Sequence, residues 1–315
     1  MDPVRLGKPK KETLHTVNLK QLVNKAINKS GFSDLNAFIA FCGEYLNYTH
    51  DHLQAVIVSQ NENHYQFFQY KKEGNFQITR PINSNMMCRS QEFPKTAKEF
   101  LTILRNIKTI DKKDKSVRNI LNDVTYSIQQ SIGSALDGLP AGQSNTARKL
   151  NGDLFEHFIR LILREMGVAC RSGVLQVPVM IEGIPVFHMR YQHDLIVEKE
   201  GVSKIIGSIK TSSKDRLDKI FIDKFLYNKL TDTATPHIAI FLNDVQRKNT
   251  RHENEYGVNA TFLPGHFKGY TVKLNPLDGV YYCDIRPNML ADPILKKHIA
   301  TFDHLLIEDI WNWVS

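Results

Sequence analysis

Apolar residues recur at helical spacing over residues 18–42, with a break at Ser30-Gly31, and again over 94–107 and 117–132. Between the first two runs lie three short stretches rich in β-branched and aromatic residues, 55–58, 65–70 and 76–79. They predict strands, and Glu73-Gly74-Asn75 marks a hairpin turn between the second and third. Residues 133–143 hold Gly133, Gly138, Pro140 and Gly142, the strongest punctuation in the chain, and suggest a soft boundary. An N-terminal α+β region, 1–135, would then precede a second unit, 136–315.

The second unit opens on Ser144-Asn145, good helix-capping residues, before a long amphipathic run to about Met166. Strands are expected at 173–181, 193–198 and 205–210, with a turn at Gly183-Ile184-Pro185. A helix at 215–230 and a strongly apolar strand at 237–243 follow. Strands at 270–274 and 280–285 and a closing helix at 302–314 complete the pattern. Helices interleaved with strands predict an α/β fold, with a central mixed sheet flanked by helices.

Composition narrows the function classes. The chain has 315 residues, 42% hydrophobic and 23% charged, which affords a sizeable core. Lys and Arg number 41 against 33 Asp and Glu, and the resulting +8 favours a polyanionic partner. Four widely spaced cysteines form no CxxC pair, which argues against a structural zinc site or a disulfide framework. The basic stretch 1–11 lacks the apolar core of a secretory signal, and no apolar run approaches membrane-spanning length. The expectation is a cytoplasmic protein with no membrane partner. A Gly-rich phosphate loop, a nucleophile elbow and an HExxH pattern are all missing from the sequence, which gives small-molecule chemistry little support.

Two neighbouring strands carry the candidate chemistry. Asp194 opens the strand His193-Asp194-Leu195-Ile196-Val197, and Lys210 ends the strand Gly207-Ser208-Ile209-Lys210. Adjacent strands bring such a carboxylate and ammonium to one sheet end. Phosphodiester hydrolysis needs a metal to neutralise developing charge, an aligned water and a stabilised leaving oxygen. Asp194 can supply a hard oxygen ligand for Mg²⁺, and Lys210 can orient the water and stabilise charge. Ser208 cannot serve as a carboxylate ligand, so a second acid must come from elsewhere. Glu156, on the helix from 144, and Asp223, on the helix after Lys210, are the candidates. Taken singly, each acid also has a plain structural reading, a strand-end carboxylate or a solvated helix face.

The layout resembles the nuclease motif written PD-(D/E)XK, with Ser208 in the place of its second acid. Lys210-Thr211-Ser212-Ser213-Lys214-Asp215-Arg216 further resembles a signature of restriction endonucleases that recognise CCGG, CCNGG or CCWGG, the EcoRII-like group among them. In that signature the catalytic Lys is soon followed by a basic residue, an acid and an arginine. The resemblance spans about residues 146–223 and leaves 1–132 unrecognised. It implies a restriction-endonuclease-like core in which the second acid has moved to the following helix, at Asp223, and a helix Glu precedes the first strand, at Glu156. Mg²⁺ would then be held by Asp194, Glu156 and Asp223.

The resemblance also implies base reading by Lys214, Asp215 and Arg216. Lys and Arg match the two acceptors of guanine, and a carboxylate matches the amino donor of cytosine. Palindromic double-stranded DNA implies a homodimer in which each subunit cuts one strand and leaves a 5′-phosphate. A companion methyltransferase for the same site, in a bacterial or archaeal cytoplasm, belongs to the same picture. Arg148 and Lys149, just before Glu156, are candidates for backbone phosphates. Arg247-Lys248, Arg251 and His252 form a basic cluster expected in a loop; such loops often touch DNA, but a solvated loop is the commoner outcome, and the cluster is left unassigned. Two rivals stand beside this reading: a structure-selective or repair nuclease of the same fold, and a DNA-binding module with a decayed active site.

Overall fold

Polar caps set the first helix starts. Asn18 and Gln21 bond each other's backbone N–H in a capping box that opens α1 (Leu19–Ile27), and Asp34 accepts the Ala37 N–H to open α2 (Leu35–His52). The computed structural model describes residues 18–72, 75–140, 142–214, 216–252 and 255–314. After α2 come β1 (Ala55–Val58), β2 (Tyr65–Lys72), β3 (Asn75–Ile78) and β4 (Ile82–Asn83). They form a small antiparallel sheet in the order β1-β2-β3, with β4 also on β2. Then follow α3 (Phe93–Arg105), α4 (Lys115–Leu136) and α5 (Ser144–Glu165).

The next three strands are β5 (Cys170–Ile181), β6 (Ile184–Lys199) and β7 (Val202–Ser212), leading into α6 (Leu217–Thr231) and β8 (His237–Asn243). A hairpin, β9 (Val245–Asn249) and β10 (Tyr256–Ala260), precedes α7 (Pro264–Lys273) and β11 (Gly279–Tyr282). The chain closes with α8 (Pro287–Ala291), β12 (Ile299–Thr301), α9 (Phe302–His304), a π turn (Leu305–Asp309) and α10 (Ile310–Val314). The main sheet has six strands in the order β12-β11-β8-β7-β6-β5. Strands β12, β11, β8 and β7 run parallel, while β6 and β5 turn back antiparallel. The expected mixed α/β architecture with flanking helices is therefore present.

From Val124 to Leu136 every residue of α4 is buried, so this part of the helix is a core element with no solvent face, while Lys115, Ser116 and Asn119 at its start are exposed. Two of its buried amides find partners: Gln129 donates to the Asn151 carbonyl and side chain, and Gln130 to the Tyr126 hydroxyl. Gly133, inside α4, leaves the space that the Arg80 guanidinium fills, and Arg80 forks onto Asp137 at 2.8 and 2.9 Å. One hydrophobic cluster unites Phe38 and Tyr45 of α2, Phe100 of α3, Ile128 and Ile132 of α4, Phe155 and Phe158 of α5, and Leu195, Ile205 and Ile240 of the sheet. Residues on both sides of 133–143 thus share one core. A second cluster, with Phe221, Phe241, Phe267 and Tyr282, fills the opposite face of the sheet beneath α6 and α7.

Three local expectations are corrected. Residues 270–274 are not a strand; all but Leu274 belong to α7, where the β-branched and aromatic run Tyr270-Thr271-Val272 mimics a strand but packs as a helix on Phe221. Ser144 and Asn145 lie inside α5; its N-cap is Gln143, which makes no side-chain cap bond. Arg247 and Lys248 stand on β9, not in a loop, because Val245 and Val258 of the β9–β10 hairpin pack against Tyr65 and Phe67 of the N-terminal sheet.

The β5–β6 hairpin outgrows the body of the protein. Val177 and Tyr191 pack against Tyr227 of α6. Beyond them Met180, Ile181, Ile184, Val186 and Phe187 are each at least half exposed. By register this arm extends past the carboxyl end of β7.

Asp244, just after β8, is only 1% exposed, and its Oδ1 has no partner. Burial, with Asp284 and Glu62 nearby, pushes its pKa up to about 7 despite Arg286. The folded state therefore holds this proton more tightly than the unfolded chain. Its stability contribution is intact below the ordinary carboxylate range and is lost as pH rises toward about 7. Asp244→Asn should raise the melting temperature at pH 8, by the equivalent of up to about 4 kcal/mol, and leave it unchanged near pH 3.5. Thermal melts of both proteins across that range check the sign.

Candidate active site

The geometry of the site begins with an irregularity in β6. Pairing with β5 runs from Gly173 opposite His193 to Arg171 opposite Ile196, so Asp194 and Leu195 together face the single residue Ser172. This bulge reverses the side-chain alternation. Before it, Tyr191 and His193 pack on Tyr227 of α6. After it, Leu195 and Val197 join the core that α5 covers. Gly207, opposite Leu195, leaves room for that side chain: a Cβ there would sit 3.0 Å from Leu195 Cδ2, so Leu195 would have to shift.

The β6–β7 ladder ends at Leu195 and Gly207. Two residues further along β7, the Ile209 N–H donates to Asp194 Oδ2 at 2.9 Å instead of to a strand carbonyl. The strands splay here, and Lys210 fills the opening. Its ammonium donates to Asp194 Oδ2 at 2.5 Å and to Glu156 Oε1 at 2.9 Å. Glu156 comes from α5, whose apolar residues Phe155, Phe158 and Ile159 fix the helix against the core. One turn on, Arg160 donates from Nη1 to the Asp194 carbonyl at 2.8 Å. Three of the four acids and bases singled out in the sequence therefore meet, and Arg160 adds a tie from α5 to the bulge.

Burial raises the Glu156 pKa, and the Asp194 charge raises it further, against the pull of Lys210. Burial alone would lower the Lys210 pKa, but the charges and hydrogen bonds of Asp194 and Glu156 outweigh it and leave it raised. Lys210 is thus a firmly protonated ammonium between two half-buried carboxylates. Asp223 lies elsewhere: its carboxylate is 3.4 Å from Lys219 on the same helix, and its charge acts on His193 and Tyr191. Ser208 is half-buried on β7, opposite Ala239 of β8. Among the described residues no group of three or more His, Cys, Asp and Glu side chains forms a metal cage. The donor set still suits Mg²⁺, which is bound through one or two carboxylates with waters and substrate phosphates completing its shell. Glu156 and Asp194, both hard oxygen donors already converging on one cation, are such a pair.

The site opens into a cleft of about 870 Å³. Arg148, Lys149 and Glu156 of α5 line one wall, Lys210 to Ser212, Lys214 and Arg216 a second, and Ile78 to Pro81 with Val245 to Arg247 a third. The acids in the lining are neutralised: Asp137 by Arg80, Asp153 by Lys29 and Glu156 by Lys210. Arg148, Lys149, Lys214, Arg216 and Arg247 have no ion-pair partner among the described residues, so the cleft is electropositive. Lys214 and Arg216 are exposed at the start of α6, while Asp215 lies outside the described residues. Arg160 was not singled out in the sequence, nor was the third wall apart from the basic cluster at Arg247, because their contacts join segments with no shared motif.

A parallel run of strands with an antiparallel hairpin on its edge and helices on both faces is the architecture of a restriction-endonuclease fold. The type IIP restriction endonuclease Kpn2I shares it: the two structures superpose with a TM-score of 0.69 over 93% of this chain and 96% of that one, at 17% identity. The restriction endonuclease PspGI, in a complex with substrate DNA, gives a TM-score of 0.41 at 12% identity, over 70% of this chain and 92% of that one. No family model matches the sequence. No curated protein matches it either. Among the described residues no helix is long and apolar enough to cross a membrane.

Proposed function

We propose that the protein is a type II restriction endonuclease that cleaves both strands of palindromic DNA containing CCGG or CCNGG. The observation that carries this reading is the Lys210 ammonium held between Asp194 and Glu156 at the mouth of an electropositive cleft. When bound, Mg²⁺ supplies charge neutralisation at the scissile phosphate and acidifies the attacking water. Asp194 and Glu156 are the residues that would hold it. The bulge, the Ile209 N–H and Arg160 fix the direction of the Asp194 carboxylate. Lys210, kept protonated by its two neighbours, orients the water and steadies charge on the phosphate oxygens. Asp223, paired with Lys219 on α6, stands outside this pair. Lys214, Asp215 and Arg216 read the C·G pairs in the major groove, and Arg148 and Lys149 bind the backbone.

A palindrome calls for two copies, and the exposed apolar arm of β5–β6 offers a surface for the second. Sedimentation of the purified protein tests the dimer. The activity itself is tested on a sequenced plasmid with and without Mg²⁺. Discrete fragments with 5′-phosphate ends mapping to CC/GG sites are expected in Mg²⁺ alone. A smear without preferred ends would favour the structure-selective alternative. Binding without cleavage would mark a module that lost its second acid at Ser208.

A further inference from the structure

The unassigned basic residues Arg247 and Arg251 turn out to border the candidate active site. Arg247 lines the active-site cleft together with Lys210 and Glu156, and the β9–β10 hairpin that carries it packs on the N-terminal sheet, far from it in sequence. A second groove of about 630 Å³ continues from it, and Ile78, Asp137 and Arg247 belong to both. Arg251, His252, Asn249 and Tyr256 line this extension, with Glu255 as an opposing acid.

Arg247 is already held in place. Its Nη1 donates to the Ile78 carbonyl at 2.9 Å, and its guanidinium sits 5.5 Å from the centre of the Tyr256 ring. Two anchors fix the side chain, and the remaining N–H groups stay available on an exposed surface. An arginine that is ordered before binding loses little freedom when it takes a ligand. Arg251 is exposed further along the same groove.

We propose that the β9–β10 hairpin is the second jaw of a DNA clamp, in which Arg247 and Arg251 grip backbone phosphates on the duplex beyond the segment held by α5 and the β7–α6 turn. The inference rests on the nuclease reading of the cleft. It assigns the N-terminal sheet a purpose, because Tyr65 and Phe67 carry the hairpin and Ile78 orients its arginine. Phosphate contacts position a duplex without reading it, so the jaw strengthens binding to all sequences alike.

The test uses the full chain, Ca²⁺ in place of Mg²⁺, and two duplexes, one with a CC/GG site and one with those pairs exchanged. Binding is measured by fluorescence anisotropy over a series of KCl concentrations. R247Q/R251Q should bind both duplexes more weakly by the same factor, and its plot of log affinity against log salt should be less steep by about 2. R247K/R251K should restore most of the slope, and melting curves of both variants should overlay the parent. An unchanged slope in R247Q/R251Q overturns the clamp, as does a loss confined to the CC/GG duplex, which would mean base reading. Parent protein that binds neither duplex overturns the nuclease reading and the clamp with it, whereas parent binding with an unchanged variant slope overturns the clamp alone.

Discussion

Lys210→Ala is expected to leave no measurable cleavage, a fall in single-turnover rate of at least about a thousandfold. The substitution removes the one cation that touches both carboxylates, at 2.5 Å and 2.9 Å. Glu156, raised in pKa by burial and by Asp194, would then lose the partner that opposes both effects. Its proton should be held to higher pH than in the parent. Circular dichroism should show a folded protein, and DNA binding in Ca²⁺ should survive. Substantial residual cleavage by this variant would remove Lys210 from the mechanism. Glu156→Ala should fall at least about a hundredfold, the scale of one misplaced group. Asp223→Ala separates two placements: a comparable fall draws α6 into the site, and a normal rate leaves Asp223 with Lys219.

The largest effect on stability is expected at Phe158. This residue is fully buried on α5 and stacks on Phe38 of α2, with ring centroids 4.8 Å apart. Phe158→Ala empties the centre of the core shared by the two halves of the chain, and a loss of about 3–5 kcal/mol follows for a buried aromatic. Because α5 also carries Glu156, the variant should lose cleavage at the temperature where it loses secondary structure, in one transition. Urea titration followed by both circular dichroism and residual cleavage checks this. Two separated transitions would show that the N-terminal region and the sheet unfold independently.

Much of the architecture is written in local patterns. Strands β1 and β8 fall where alternating or continuous apolar runs place them, and α3, α4 and α5 differ from expectation only near their ends. Asp194 and Lys210 could be paired from the sequence because they sit on consecutive strands, where neighbour pairing is the rule. Glu156 could be named because its helix precedes those strands. Arg160 and Arg247 carry no such signal, since each acts on a partner fixed only by tertiary packing: the Asp194 carbonyl and the Ile78 carbonyl. Within 133–143, Gly133 lies inside α4 and serves close approach by Arg80, whereas Gly142 sits in the α4–α5 connection at a φ of 89°, and composition alone cannot tell the two uses apart.

The extra residue at Asp194–Leu195 also has a consequence for any redesign of this chain. Side-chain direction along a strand has only two phases, and one inserted residue exchanges them. In β6 residues 187–193 and the core segment after Leu195 are therefore written in opposite phase, and a second extra residue at Val186 shifts the phase again in the tip of the arm. A loop-swap or graft that matched residue counts across this point would seat the arm inside out, turning Met189 and Tyr191 away from α6 and the carboxylate away from Lys210. The junction behaves like a keyed joint: the arm can be lengthened or shortened freely, but only in steps that preserve the phase at Asp194.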